Sequence, residues 1–162
     1  MRKWNERPDE VKSLFNPAFC GRVLYATISE YQKKTNHSFP FPLVYLILPL
    51  VLPAQIRTQI NSRMQLLNWT QSHQELLYNY PKRACDYVDI TTETLEFMLH
   101  SGYIIITEQG ELAKNTSIRS LSKIKNVDPE VSECLLKAEH VGRWFASAGK
   151  PETIYACLGV RP

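Results

Sequence analysis

Ten consecutive residues, LVYLILPLVL from Leu43 to Leu52, are apolar, lie between Pro42 and Pro53, and enclose Pro49. Nothing else in the chain restricts the fold as strongly. The run is about half the ~20 residues a helix needs to cross a bilayer, so it predicts no membrane span. A helix that is apolar all round must be enclosed by protein all round. The run therefore predicts a short, fully buried helix, kinked or broken at Pro49, because proline lacks the amide hydrogen and crowds the turn before it. Burying it takes a chain long enough to wrap it. With 162 residues, 44% apolar and 22% charged, this chain has the material without metal or disulfide staples.

The wrapping elements announce themselves by their starts. Asn16-Pro17 pairs an N-cap residue with an N1 proline, and Phe15 is placed to staple onto Cys20. The helix that follows should reach about Lys34, with Cys20, Val23, Leu24, Thr27, Ile28 and Tyr31 on one buried face. Asp128-Pro129 repeats the signal. After it Val131, Cys134, Leu135, Ala138, Val141, Phe145 and Ala148 recur at helical spacing, with Glu133 and Lys137 as an i,i+4 pair on the polar side. Gly149 ends that helix and Pro151 starts a last one, carrying Ile154, Tyr155 and Leu158 and closed by Gly159. Residues 53–62 predict a short polar helix. Met64 to Tyr80 predicts another helical segment, weakened or ended by Pro81.

The centre reads differently. Asp89 or Thr91 should cap a helix from about Thr92 to His100, with Leu95, Met98 and Leu99 inward and Gly102 as the C′ glycine. Tyr103 to Thr107 is β-branched and predicts a strand, Glu108-Gln109-Gly110 a turn, and Glu111 to Lys114 the returning strand. A helix followed at once by a hairpin is the second half of a winged helix. The predicted fold class is thus mainly α with a small β-hairpin: a winged-helix-like core flanked by N- and C-terminal helices. The expected division is 1–62 for an N-terminal arm and helices, 63–126 for the winged-helix-like region and 127–162 for the C-terminal helices, all in one compact unit.

Charge separates the function classes. The net charge of +3 falls short of a dedicated nucleic-acid binder. Winged helices read DNA with the helix before the wing, yet here that helix presents Thr92, Glu93, Glu96 and His100, and the turn presents Glu108 and Glu111. Carboxylates facing phosphates repel, so Glu93 and Glu96 suit a protein partner better. Lys114, Arg119, Lys123 and Lys125 could touch a phosphate backbone, or form a solvated face or meet an acidic partner. Trp144 and Arg143 belong to the residue types that dominate binding hot spots, although Trp144 could equally pack under the last helix. Trp4 and Arg7, in a polar arm, and Arg161, at the other end, are further candidate partner contacts.

No catalytic constellation stands out. His37, His73, His100 and His140 lack metal-ligand spacing with each other or with a cysteine, and the six glycines form no phosphate loop. Cys85 with His73 is an arbitrary pairing. Cys20, Cys85, Cys134 and Cys157 form no CxxC pair and fit a reduced, cytoplasmic chain, and MRKWNERPDEVK lacks the apolar core of a signal peptide. No enzyme, cofactor, metal, small-molecule substrate or membrane is expected.

Beyond these patterns, WNERP, NPAFC, GRWFA and the terminal LGVRP, together with FPLVYLILPLVLP, resemble the middle component of bacterial three-component ABC antiphage systems, of which the Lamassu type is the best-known branch. The resemblance implies a non-enzymatic adaptor between an SMC- or Rad50-like ABC ATPase and an effector, often a nuclease, which it restrains until foreign DNA is sensed. DNA would be met indirectly, through the complex. It carries no catalytic motif and assigns no interface residue. The rival from another class is a DNA-binding winged-helix transcriptional regulator, against which the acidic helix argues.

Overall fold

The structure is a computed structural model that describes residues 15–118, 121 and 128–161. Trp4, Arg7, Arg119, Lys123 and Lys125 lie outside the described residues.

Helix α1 (Pro17–Thr35) starts as the sequence predicts, with the Asn16 side chain accepting from the Ala18 amide at 2.8 Å. It buries Cys20, Val23, Leu24, Thr27, Ile28 and Tyr31, and Gly21 and Tyr25 as well. The Phe15 ring meets Tyr87 edge-on at 5.5 Å. After α1, Phe39 exchanges two backbone hydrogen bonds with Leu112, at 2.7 and 2.8 Å.

The apolar run is buried as expected, but the break falls elsewhere. A 3-10 helix (Phe41–Leu46) gives way to α2 (Ile47–Val51), and Pro49 lies inside α2. Proline at the third helical position is harmless, since amides of the first turn have no intrahelical partner. Its ring would collide with the carbonyl four residues back, Tyr45, so the change of helix type precedes it. Outside groups bind the carbonyls of the run: Tyr155 Oη donates to Pro42 at 2.8 Å and Tyr80 Oη to Leu46 at 2.9 Å.

Residues 53–62 form only α3 (Ala54–Arg57), which is not purely polar, because Ile56 and Arg57 are buried. The single segment expected from Met64 to Tyr80 is broken into α4 (Leu66–Ser72) and α5 (Gln74–Leu77). Pro81, expected to weaken or end a helix, instead sits in the first turn of α6 (Tyr80–Asp86), where its missing amide costs nothing. Helix α7 (Val88–His100) then begins one turn earlier than the Thr92 expected. Neither Asp89 nor Thr91 caps it; Tyr87 stands at the cap without a side-chain bond, and Thr91 is buried. The end of α7 is as predicted. Gly102 has φ +70, Tyr103 N–H reaches the Met98 carbonyl at 3.1 Å and Gly102 N–H that of Leu99 at 3.0 Å, the two bonds of a Schellman stop.

Strands β1 (Ile104–Ile106) and β2 (Leu112–Lys114) pair antiparallel, Ile105 opposite Ala113. With the Phe39–Leu112 bridge the order is helix, bridge, helices, α7, hairpin, which is consistent with a winged helix. Helix α8 (Pro129–Ala148) is capped by Asp128, whose carboxylate accepts from Glu130 and Val131 amides at 2.7 and 3.2 Å. Helix α9 (Pro151–Cys157) closes on Gly159, with Val160 N–H to the Tyr155 carbonyl at 3.0 Å. The described residues are therefore mainly helical with one hairpin.

Helix α1 is the axis of the packing. Against α8 it comes close enough that a Cβ on Gly142 would lie 2.5 Å from the Thr27 carbonyl oxygen. Thr27 Oγ1 donates to the Ala138 carbonyl across that contact at 2.9 Å. Against α7, a Cβ on Gly21 would lie 2.5 Å from Met98 Sδ.

Candidate partner interface

The GRWFA stretch singled out by sequence sends each side chain to a different neighbour. Gly142 permits the α1 contact. Arg143 pairs with Glu30 of α1 at 2.8 Å. Trp144 turns inward: it is 4% exposed, donates through Nε1 to the Met64 carbonyl at 2.6 Å, and lies 5.0 Å from the ring of Trp69. Of the two arrangements open to Trp144, this is packing within its own chain. Phe145 is buried beside Phe39, 6.4 Å between ring centres. The LGVRP end is held likewise, with Leu158 buried, Val160 packed against the core and Arg161 exposed.

The other sequence-predicted contacts are scattered. Glu93 is half-buried and Glu96 exposed on α7. Lys114 is half-buried, its backbone amide held by Gln32 Oε1 at 2.9 Å. Glu133 and Lys137, expected to pair with each other, look outward to a different element. Glu133 binds Arg57 at 3.1 Å and Lys137 Nζ donates to the Ile60 carbonyl.

That arginine is a feature the sequence did not betray. Arg57 is 3% exposed, yet its guanidinium donates to the Val51 and Leu52 carbonyls at 3.3 and 2.7 Å, to Glu133, and to Glu130 at 2.8 Å. It joins the carbonyl end of α2 to the first two turns of α8. The charge is compensated on every side, as a buried cation requires.

No group of three metal-ligating side chains occurs among the described residues. Burial pushes the Cys20 thiol up to about 12 and raises that of Cys134, which makes both poor nucleophiles. His73 is committed to Trp69, stacked at 4.9 Å with Nδ1 2.8 Å from the Trp69 carbonyl. No described helix is long and apolar enough to cross a membrane.

Part of the surface is apolar. Tyr78 is 85% and Leu67 54% exposed, and they line a groove of about 340 Å3 with Leu77 and Leu158 and the polar but uncharged Thr70, Gln71 and Gln74; no charged residue is in its lining. Ile105 and Ile106 of β1 are exposed too, on the hairpin strand that lacks a described partner on its outer side.

No curated protein and no solved structure matches the chain. A family model, described as the ABC-three component (ABC-3C) system Middle Component 3, matches residues 4–162. The match spans nearly the whole sequence, and the chain belongs to the Middle Component 3 family of ABC-three component systems.

Proposed function

We propose that this chain is a non-enzymatic, cytoplasmic adaptor in an antiphage system of the Lamassu type. It bridges an SMC- or Rad50-like ABC ATPase and an effector, a nuclease by the resemblance, and restrains that effector until foreign DNA is sensed. The observation that carries the reading is the family match over residues 4–162: a middle component implies further subunits to sit between. The surface supports it. The uncharged groove beside Leu67 and Tyr78 suits an apolar helix of a neighbouring subunit, because uncharged lining gives a charged segment no compensation for its lost hydration. Glu93, Glu96, Arg143 and Arg161, which do not line that groove, are proposed partner contacts elsewhere on the surface. Trp4 and Arg7 remain proposed contacts of the same kind.

The experiment is affinity co-purification of the tagged chain with the products of its neighbouring genes, beside a Leu67→Ser/Tyr78→Ser variant. The adaptor reading expects both neighbours to co-elute with the parent chain and one of them to be lost from the variant. Elution of the parent chain alone, from cells that produce both neighbours, would refute it.

A further inference from the structure

A second groove has the opposite character. It runs beneath the segment 58–65, in two adjoining hollows of about 530 and 230 Å3 that share Ser62, Met64 and His140 in their walls. The ionisable side chains lining it are Lys34, Arg63, His73, Lys137, His140 and Arg143, and no carboxylate lines either hollow. The chain as a whole carries 19 Lys and Arg against 16 Asp and Glu, so four cations without a lining carboxylate is a local segregation of charge. The nearest compensating group named by the contacts is Glu30, whose side chain is 12% exposed and is already held by Arg143 and by Lys33 at 3.8 Å. Lys34 and Arg63 are exposed. Burial, then the nearby Arg143 and Lys137, lower the pKa of His140, while Glu30 opposes them. The direction fits a site already rich in positive charge.

The segment is braced from behind. Trp69 Nε1 donates to the Gln59 carbonyl at 2.8 Å, Lys137 to that of Ile60, and Trp144 to that of Met64. Three side chains from α4 and α8 thus engage its carbonyl oxygens. The Asn61 side chain takes the Arg63 amide at 2.9 Å, within the same segment. The wall is fixed before any ligand arrives, which lowers the ordering cost of binding.

We infer that this groove binds the phosphodiester backbone of duplex nucleic acid. Charge, amide and hydroxyl donors are what phosphate contacts use, and they carry no base readout. A protein partner would want an apolar anchor at the centre of the patch. Here Trp144 is buried and Met64 half-buried, and no exposed large apolar side chain lines either hollow. The two hollows meet at His140, so successive phosphates can lie along them. None of this involves the uncharged groove of the adaptor reading, and either can fail without the other.

The test is anisotropy of a labelled duplex against the full chain over a KCl series, with Lys34→Glu/Arg63→Glu and, as a charge-matched control, Lys82→Glu/Lys150→Glu. All four side chains are exposed, and a thermal melt of each variant verifies folding; Lys34→Gln/Arg63→Gln replaces the reversal if it melts early. The parent chain should bind with a steep salt dependence. The groove variant should bind about 10-fold or more weaker, with a log–log slope flatter by about 2, since each neutralised phosphate contributes about 0.9. The control should lose much less. No duplex binding at low salt, an equal loss in the control, or a preference for polyglutamate over duplex would each overturn the inference.

Discussion

Replacing Gly142 by alanine should destabilise the chain severely for so small a change. In an exposed helix the substitution gains about 1 kcal/mol of helix propensity. Here the new Cβ would stand 2.5 Å from the Thr27 carbonyl oxygen and 3.1 Å from Glu30 Cβ, where ordinary contact begins at 3.4 Å. The obstacle is helix backbone, which cannot rotate aside. Helices α1 and α8 must separate, at the upper end of the overpacking range, about 3 kcal/mol. Separation also stretches the hydrogen bond from Thr27 to Ala138, worth about 1 kcal/mol. The net cost is about 3 kcal/mol, or a fall in Tm of about 6–12 °C for a chain of this size. Gly21→Ala is the internal comparison. The nearest atom there is the sulfur of Met98, at the same 2.5 Å, but a methionine side chain can swing away. The propensity gain offsets most of that cost, and stability should stay within about 1 kcal/mol of the parent. Urea unfolding followed by circular dichroism measures both. A Gly142→Ala chain as stable as the parent, or a Gly21→Ala chain that is the weaker of the two, would refute the close-packing argument.

Three further outcomes follow from the geometry. Arg57→Ala leaves two carbonyls and two glutamates without their donor and should cost about 3 kcal/mol in urea unfolding; Arg57→Lys, lacking the fork, should recover only part of it. In the native chain at pH 8 a thiol reagent should label Cys85, which is exposed, long before Cys20 and Cys134, which are buried with raised pKa values; mass spectrometry of the labelled peptides reads the order. His140, flanked by Lys137, Arg143 and Glu30, has a folded pKa below its ordinary 6.5. The unfolded chain therefore takes up more protons near that value, and the contribution of His140 is present above pH 6.5 and lost as the pH falls below it. His140→Gln should flatten that part of a Tm-against-pH curve.

How much of this was legible in the sequence depends on whether the signal was local. Asn16-Pro17 and Asp128-Pro129 set cap and first turn within two residues, and both helices begin where those pairs stand. Gly102, Gly149 and Gly159 have positive φ and end helices, as their positions suggest. Proline was harder to read because it breaks a helix interior but suits a first turn. Pro49 and Pro81 took the second role, and only the surrounding packing decides between the two. The early start of α7 has a similar origin: Thr91 is buried and continues the helix instead of capping it. Arg57 follows Leu52 and Pro53 closely in sequence, but its carboxylate partners lie more than seventy positions away. The basic groove likewise joins residues 34, 63, 137 and 143. No spacing rule brings such residues together before the chain is folded.

An adaptor of the kind proposed joins two other proteins. The direct measurement is the mass, by native mass spectrometry, of the assembly formed when the chain is produced with both neighbouring gene products, with and without DNA ends and ATP, and again with this chain deleted. The expected result is one complex holding all three, loss of the effector when DNA and ATP are present, and no ATPase–effector association without the chain. An ATPase–effector complex that forms equally well in its absence would contradict it.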